Sequence, residues 1–206
     1  MLIHSDTARP QIDATAQVAS SAVVSGDVRI GPNCRIGHGV VIVAEGGPVV
    51  IGAHCVVMDT AVIRGVPGQV MSLGNQVLVG PRACLVGCRI DDDVFLATGA
   101  TVFNGAHIGQ GSQVRINGLV HLRTVLPPNS MVPIGWVAVG DPAIIRPTSA
   151  HDEIWEVQKT LDFPGYVFGI ERPAPGQSMM PVLMPRYAGA LRRRHAGDAV
   201  IDDAAR

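Results

Sequence analysis

Aromatic residues are scarce in this chain: Phe, Trp and Tyr together make up 4% of it, although 47% of its residues are apolar. Rings fill core volume efficiently, so their shortage excludes a thick globular core and favours a thin one built from small aliphatics. Charge is equally sparse. A net charge of −1 leaves no electrostatic footprint for nucleic acid. No apolar run reaches the roughly 20 residues needed to span a bilayer, and the first ten residues lack the apolar centre of a signal peptide. Cysteine is limited to Cys34, Cys55, Cys84 and Cys88, without zinc-knuckle spacing. The expectation is a reduced, cytoplasmic protein that binds neither nucleic acid nor membrane. Turn formers, by contrast, are abundant, with 24 Gly and 15 Pro among 206 residues. A chain of this length is one domain with, at most, an appended segment.

What the chain does have is a rhythm of six. An aliphatic residue returns at Ile12, Val18, Val24, Ile30, Ile36 and Ile42, then at Ile51, Val57 and Ile63, and then at Leu73, Val79 and Leu85. One step is a residue short, reaching Ile90, and the rhythm then holds from Leu96 to Val132. Four places after each aliphatic stands a residue that is nearly always small, such as Ala22, Cys34, Cys55, Ala61, Ala83 or Ala100. Period six matches neither a helix nor a flat alternating strand. It matches a solenoid in which each hexapeptide forms one side of a triangular coil, aliphatics stacked inside and Gly, Asn or Asp at the corners. The register implies about six coils. Cys34 and Cys55 fall on small inward positions and are core filler, Cys88 is expected inside as well, and Cys84 lies one place off the inward set.

The rhythm breaks twice, at Ala44–Pro48, which carries Glu45, and at Arg64–Val70. Loops held on a rigid solenoid are where function concentrates, although a tolerated insertion at a corner reads the same way. After Val132 the pattern fades, ending at Pro147. Thr148 or Ser149 is placed to cap a helix, with Asp152 as the capping-box acid and Ile154, Val157 and Leu161 on its apolar face, and Phe163-Pro164 to end it. A Pro/Gly-rich stretch follows, then a second short helix at Arg186–His195 whose basic run, Arg192 to Arg194, reads as a solvated face or a salt-bridging terminus. Disorder is expected from Asp198 onward. The division expected is a β-solenoid over residues 1–147 and a C-terminal helical extension and tail over 148–206.

Several segments resemble one family of such solenoids. G-D-V-R-I-G at Gly26–Gly31, P-V-V-I-G at Pro48–Gly52, V-M-D-T-A-V-I-R at Val57–Arg64, V-G-P-R-A-C-L-V-G-C-R-I at Val79–Ile90, G-A-T-V-F-N-G-A at Gly99–Ala106 and G-D-P-A-I-I-R at Gly140–Arg146 are similar to the γ-class carbonic anhydrases. The shortened step at L-V-G-C-R-I is the most specific, because that family shows the same irregularity. The resemblance implies an all-β fold, the left-handed parallel β-helix of hexapeptide repeats, assembled as a homotrimer. It also implies three histidines binding a divalent metal between subunits. Carried over, those histidines fall on Arg64, Pro81 and Val86. Proline and valine offer no donor and arginine stays protonated, so no metal and no cofactor are expected there, and hydration of CO2 by a metal-bound hydroxide is not expected.

Of the family's Gln-Asp pair only the acid remains, as Asp59 after Met58. Arg64, Asp59 and Glu45 are therefore the candidate site residues of an inter-subunit cleft. A fixed guanidinium suits a small carboxylate or other anion, and either acid could move protons. Arg64 could equally be a structural partner of Glu45 or Asp59. Two other functions are open. Many hexapeptide-repeat trimers are acyltransferases using CoA or carrier thioesters, for which His54 or His107 could be the base. Loss of all three ligands also fits a non-catalytic scaffold.

Overall fold

The computed structural model describes residues 1–5 and 8–201. The chain winds into a parallel β-solenoid with three faces. One face is a ten-stranded sheet and the other two are seven-stranded, each successive turn of the chain adding one strand to every face. Eight rungs of the large sheet are parallel, from Leu2–His4 to Trp136–Val139. This exceeds the about six coils that the rhythm implied, because the first and last rungs are made by residues outside it.

The period-six aliphatics form the core. Ile36, Ile42, Ile51, Ile63, Leu85, Ile90, Leu96, Ile108 and Leu126 are all fully buried and stack along the solenoid axis. Each such side chain contributes roughly 1.5–3 kcal/mol when taken from water. Between them sit the small residues, Cys34, Cys55 and Cys88 included, while Cys84 is half-exposed. The corners turn through left-handed conformations, held by Asn33, Asp93, Asn117 and Asn129 as the pattern anticipates, but also by His54, Gln76 and Arg82. Backbone bonds between rungs offset that strain; the amide of His54, for example, donates to the carbonyl of Pro32 at 2.9 Å. No described helix is long and apolar enough to cross a membrane.

The C-terminal extension runs back along the solenoid. Helix α1 (His151–Gln158) buries Ile154 against Val137 and Val139 of the last rung. Its N-cap is Ala150 and no side chain caps it, so the capping box expected from Ser149 and Asp152 does not form. Phe163-Pro164 does not simply end a helix but opens a second one, α2 (Phe163–Phe168), where a first-turn proline costs no hydrogen bond. Helix α3 (Met180–Arg194) starts six residues earlier than Arg186 and carries Pro185 within it. The chain then pairs Ala199–Val200 antiparallel with Ile3 and His4. The disorder expected from Asp198 is therefore wrong for those residues: returning backbone meets an open sheet edge and completes it. The rest of that stretch, 202–206, lies outside the described residues.

Candidate functional site

The two breaks in the rhythm lie side by side. The strand Val41–Ala44 runs parallel to Val62–Gly65, with Ala44 opposite Gly65, and both loops leave the coil at that end. The amide of Glu45 donates to the carbonyl of Gly65 at 3.1 Å. The upper loop doubles back through Val66-Pro67-Gly68-Gln69, where Gly68 has φ +76° after a proline, the arrangement of a type II turn. Stacking of rungs thus sets Arg64 against Val43, and Glu45, just past that strand, reaches the Arg64 guanidinium with its side chain, although 18 residues separate the two in the chain.

Glu45 is 5% exposed, unusual for a carboxylate, and its two oxygens are both engaged. Arg64 Nη2 contacts Oε2, and Arg194 Nη1, from the last turn of α3, lies 3.6 Å from Oε1. Both arginines remain about a third exposed, 38% and 32%. A buried acid spanned by two guanidiniums is satisfied only while both are present. The basic run thus acts as a salt-bridging terminus through Arg194.

Beside this cluster lies a cavity of about 600 Å³. One wall is the solenoid, with Arg64, Val86, Gln69 and Asn104; the other is the extension, with Tyr166, Arg186, Tyr187 and Arg194. Its side-chain polar groups are mostly donors, the acceptors including the Glu45 carboxylate and Gln69 Oε1, which is buried without a partner among the described residues. The Gln69 amide Nε2 donates to Tyr166 Oη at 2.6 Å, leaving the tyrosine proton free to donate in turn. Arg123 lies over the Tyr166 ring, 5.5 Å from its centre, and fixes it there. Asn104 is buried, and its side chain makes no hydrogen bond among the described residues. Glu45, the lone carboxylate in the lining, is already paired twice.

The structure brings Glu45 and Arg64 together within one chain but keeps Asp59 away from them. Asp59 sits at the opposite corner of the same face, five residues or up to about 17 Å of extended chain before Arg64. There its Oδ1 accepts the amide of His38 at 2.7 Å, and its carbonyl accepts the amide of Arg82 at 3.2 Å. Asp59 therefore pins the corner that also holds Pro81. Of the three positions carried over from the metal-binding family, Arg64 and Val86 are register neighbours on adjacent rungs, and Pro81 lies at the far corner with Asp59. Arginine, valine and proline give no ligand set, and the described residues contain no cluster of three or more His, Cys, Asp or Glu side chains fit to share a metal. The residues that sequence reasoning missed here are Arg186, Arg194, Tyr166 and Asn104. Only the basic run gave any signal.

A second constellation lies on a different face. His107 Nε2 is 2.8 Å from Asp91 Oδ2, and Arg89 Nε is 3.0 Å from Oδ1. Burial alone would raise the Asp91 pKa, but the hydrogen bonds from His107 and Arg89 outweigh it and hold the acid below its ordinary value. The imidazole is thereby oriented by a carboxylate.

No protein-family model matches the chain. It is 26% identical over 193 residues to gamma carbonic anhydrase 1, mitochondrial, of Arabidopsis thaliana, covering 91% of this chain and 67% of that protein. With a probable carbonic anhydrase of Methanocaldococcus jannaschii it shares 34% identity over 121 residues, 59% of this chain and 76% of that one. The chain spans a smaller part of several other curated relatives, between 20% and 52% of their lengths. A solved Bacillus cereus protein assigned as an acetyltransferase superposes with a TM-score of 0.61 at 26% identity, over 77% of this chain and 91% of that one.

Proposed function

Because the chain belongs to the γ-carbonic-anhydrase-like family of hexapeptide-repeat left-handed β-helices, yet has arginine, proline and valine where that family's metal ligands fall, we propose that it binds a small carboxylate or similar anion beside Arg64 and acts on it without a metal. The observation that carries this reading is the imbalance of the cavity. Guanidinium, amide and phenol donors face it from both walls, while its one carboxylate is already spent on two arginines. An anion supplies the missing acceptors. Arg64 would hold the ligand's charge, Glu45 would keep the two guanidiniums in place, and Asp59 would be the acid left to take or return a proton. A homotrimer in the cytoplasm is part of the reading. Threefold packing would turn the Asp59–Pro81 corner of one copy toward the Arg64–Val86 end of the next, which is how Asp59 would join the site.

The test is calorimetry of the full chain with acetate, bicarbonate and succinate at fixed ionic strength, for the wild type and for Arg64→Lys and Arg64→Gln. Binding that weakens about tenfold in the lysine variant and disappears in the glutamine variant supports the reading, since lysine keeps the charge but loses the planar fork. Unchanged binding in Arg64→Gln, with a weakened oligomer on sizing, would make Arg64 a structural partner of Glu45 and end the proposal.

The Asp91–His107 pair favours a second reading, an acyltransferase in which the oriented imidazole is the base. It predicts a rise in melting temperature with CoA or acetyl-CoA that His107→Asn does not show; no rise in the wild type removes it.

A further inference from the structure

Resting on that reading, we infer that the ligand is a small dianion with its two negative ends held by different parts of the chain: one by Arg64 on the solenoid, the other by Arg186 of helix α3. Three guanidiniums line the cavity, those of Arg64, Arg186 and Arg194, against the single carboxylate of Glu45. Two positive charges are therefore left without a partner in the lining. Arg64 and Arg194 share Glu45, whereas Arg186 makes no ion pair among the described residues. Grouping like charges around a groove raises the local potential, and a ligand carrying two negative charges neutralises it where a monoanion leaves half of it standing.

The placement of donors says how such a ligand lies. Arg64 and Asn104 project from the rungs, while Arg186, Tyr187 and the free proton of Tyr166 project from the helices opposite. A monocarboxylate can engage only one wall. A short dicarboxylate or a phosphorylated small molecule reaches both and ties α3 to the solenoid. Arg186 thereby sets specificity, through a charge that the rungs themselves do not provide. Its position on an exposed helix surface means that substituting it removes no core contact.

Calorimetry at constant ionic strength tests this with butyrate, succinate, glutarate and inorganic phosphate, on the full chain and on Arg186→Gln, with circular dichroism to verify folding. Succinate or glutarate is expected to bind at least tenfold tighter than butyrate, and Arg186→Gln to cut that preference to about twofold. Phosphate alone outperforming the dicarboxylates assigns the dianion to a phosphate group. If butyrate and succinate bind equally, or if Arg186→Gln leaves their ratio unchanged, the dianion inference fails and the anion site stands. Should no anion bind the wild type, the underlying reading fails as well.

Discussion

Replacing Glu45 by alanine tests the central cluster most directly. At the 3.6 Å between Arg194 Nη1 and Glu45 Oε1, Coulomb's law with an effective dielectric of about 20 gives roughly 4–5 kcal/mol of gross attraction. The carboxylate's lost hydration and the water still reaching both arginines reduce this to about 1–2 kcal/mol net for each pair. The variant loses both pairs and leaves two guanidiniums facing each other, so a total cost of about 3 kcal/mol is expected. Glu45→Gln keeps one hydrogen-bonding oxygen and should cost about 2 kcal/mol. The assay is urea unfolding at one protein concentration, repeated with Arg64→Ala, Arg194→Ala and the doubles with Glu45→Ala. Coupling should be larger for Glu45 with Arg64, the closer partner, than with Arg194. Because both arginines are partly exposed, both couplings should shrink between 0.05 and about 0.5 M salt. Additive effects in both doubles would refute the idea that Glu45 organises the site.

Three other outcomes are expected of the same chain. The variant Arg64→His/Pro81→His/Val86→His should acquire about one zinc per chain by elemental analysis, and only in its trimeric fraction, because Pro81 lies at the far corner and must come from a second copy. Iodoacetamide at pH 8 should label Cys84 first, though more slowly than a free thiol, because burial raises its pKa and the charge of Arg64 offsets this in part; Cys55, pushed up to about 11 by burial, and the buried Cys88 should react only in urea. Asp91 carries a depressed folded pKa, so its pairing stabilises above its unfolded value near 4 and is lost as pH falls through the lower folded value. Asp91→Asn should therefore cost about 0.5–1 kcal/mol at pH 7 and progressively less as the pH falls through the lowered folded value; a difference that stays constant on acidification would contradict the assignment.

How much was legible depended on whether a feature repeats. Ile63 and Leu85 could be stacked from sequence because a six-residue period fixes which side chain points inward, and the same counting put Glu45 and Arg64 at adjacent breaks. Asp59 misled because closeness in sequence means little here: five residues along a rung cross an entire face, whereas Val43 and Arg64, one full coil apart in the chain, stand in register. Arg194 and Arg186 obey no period. Their place depends on the path of the extension, which proline turns and the burial of Ile154 and Leu183 decide rather than any repeated spacing. The helix start failed for a related reason: Ser149 has the right chemistry for a cap, but Ala150 occupies the capping position.

The return of Ala199–Val200 to the first rung changes how the whole solenoid holds together. A stack of rungs is a line in which each unit senses only its neighbours, and either end can fray without the other responding. Here the segment that packs α1 on the last rung later pairs with the first, so the line becomes a closed circuit. Opening one end slackens the tie on the other, and α3, which carries Arg186 and Arg194, is the span between them. The helix that forms one wall of the charged cavity therefore lies between two anchored points, α1 on the last rung and Ala199–Val200 on the first.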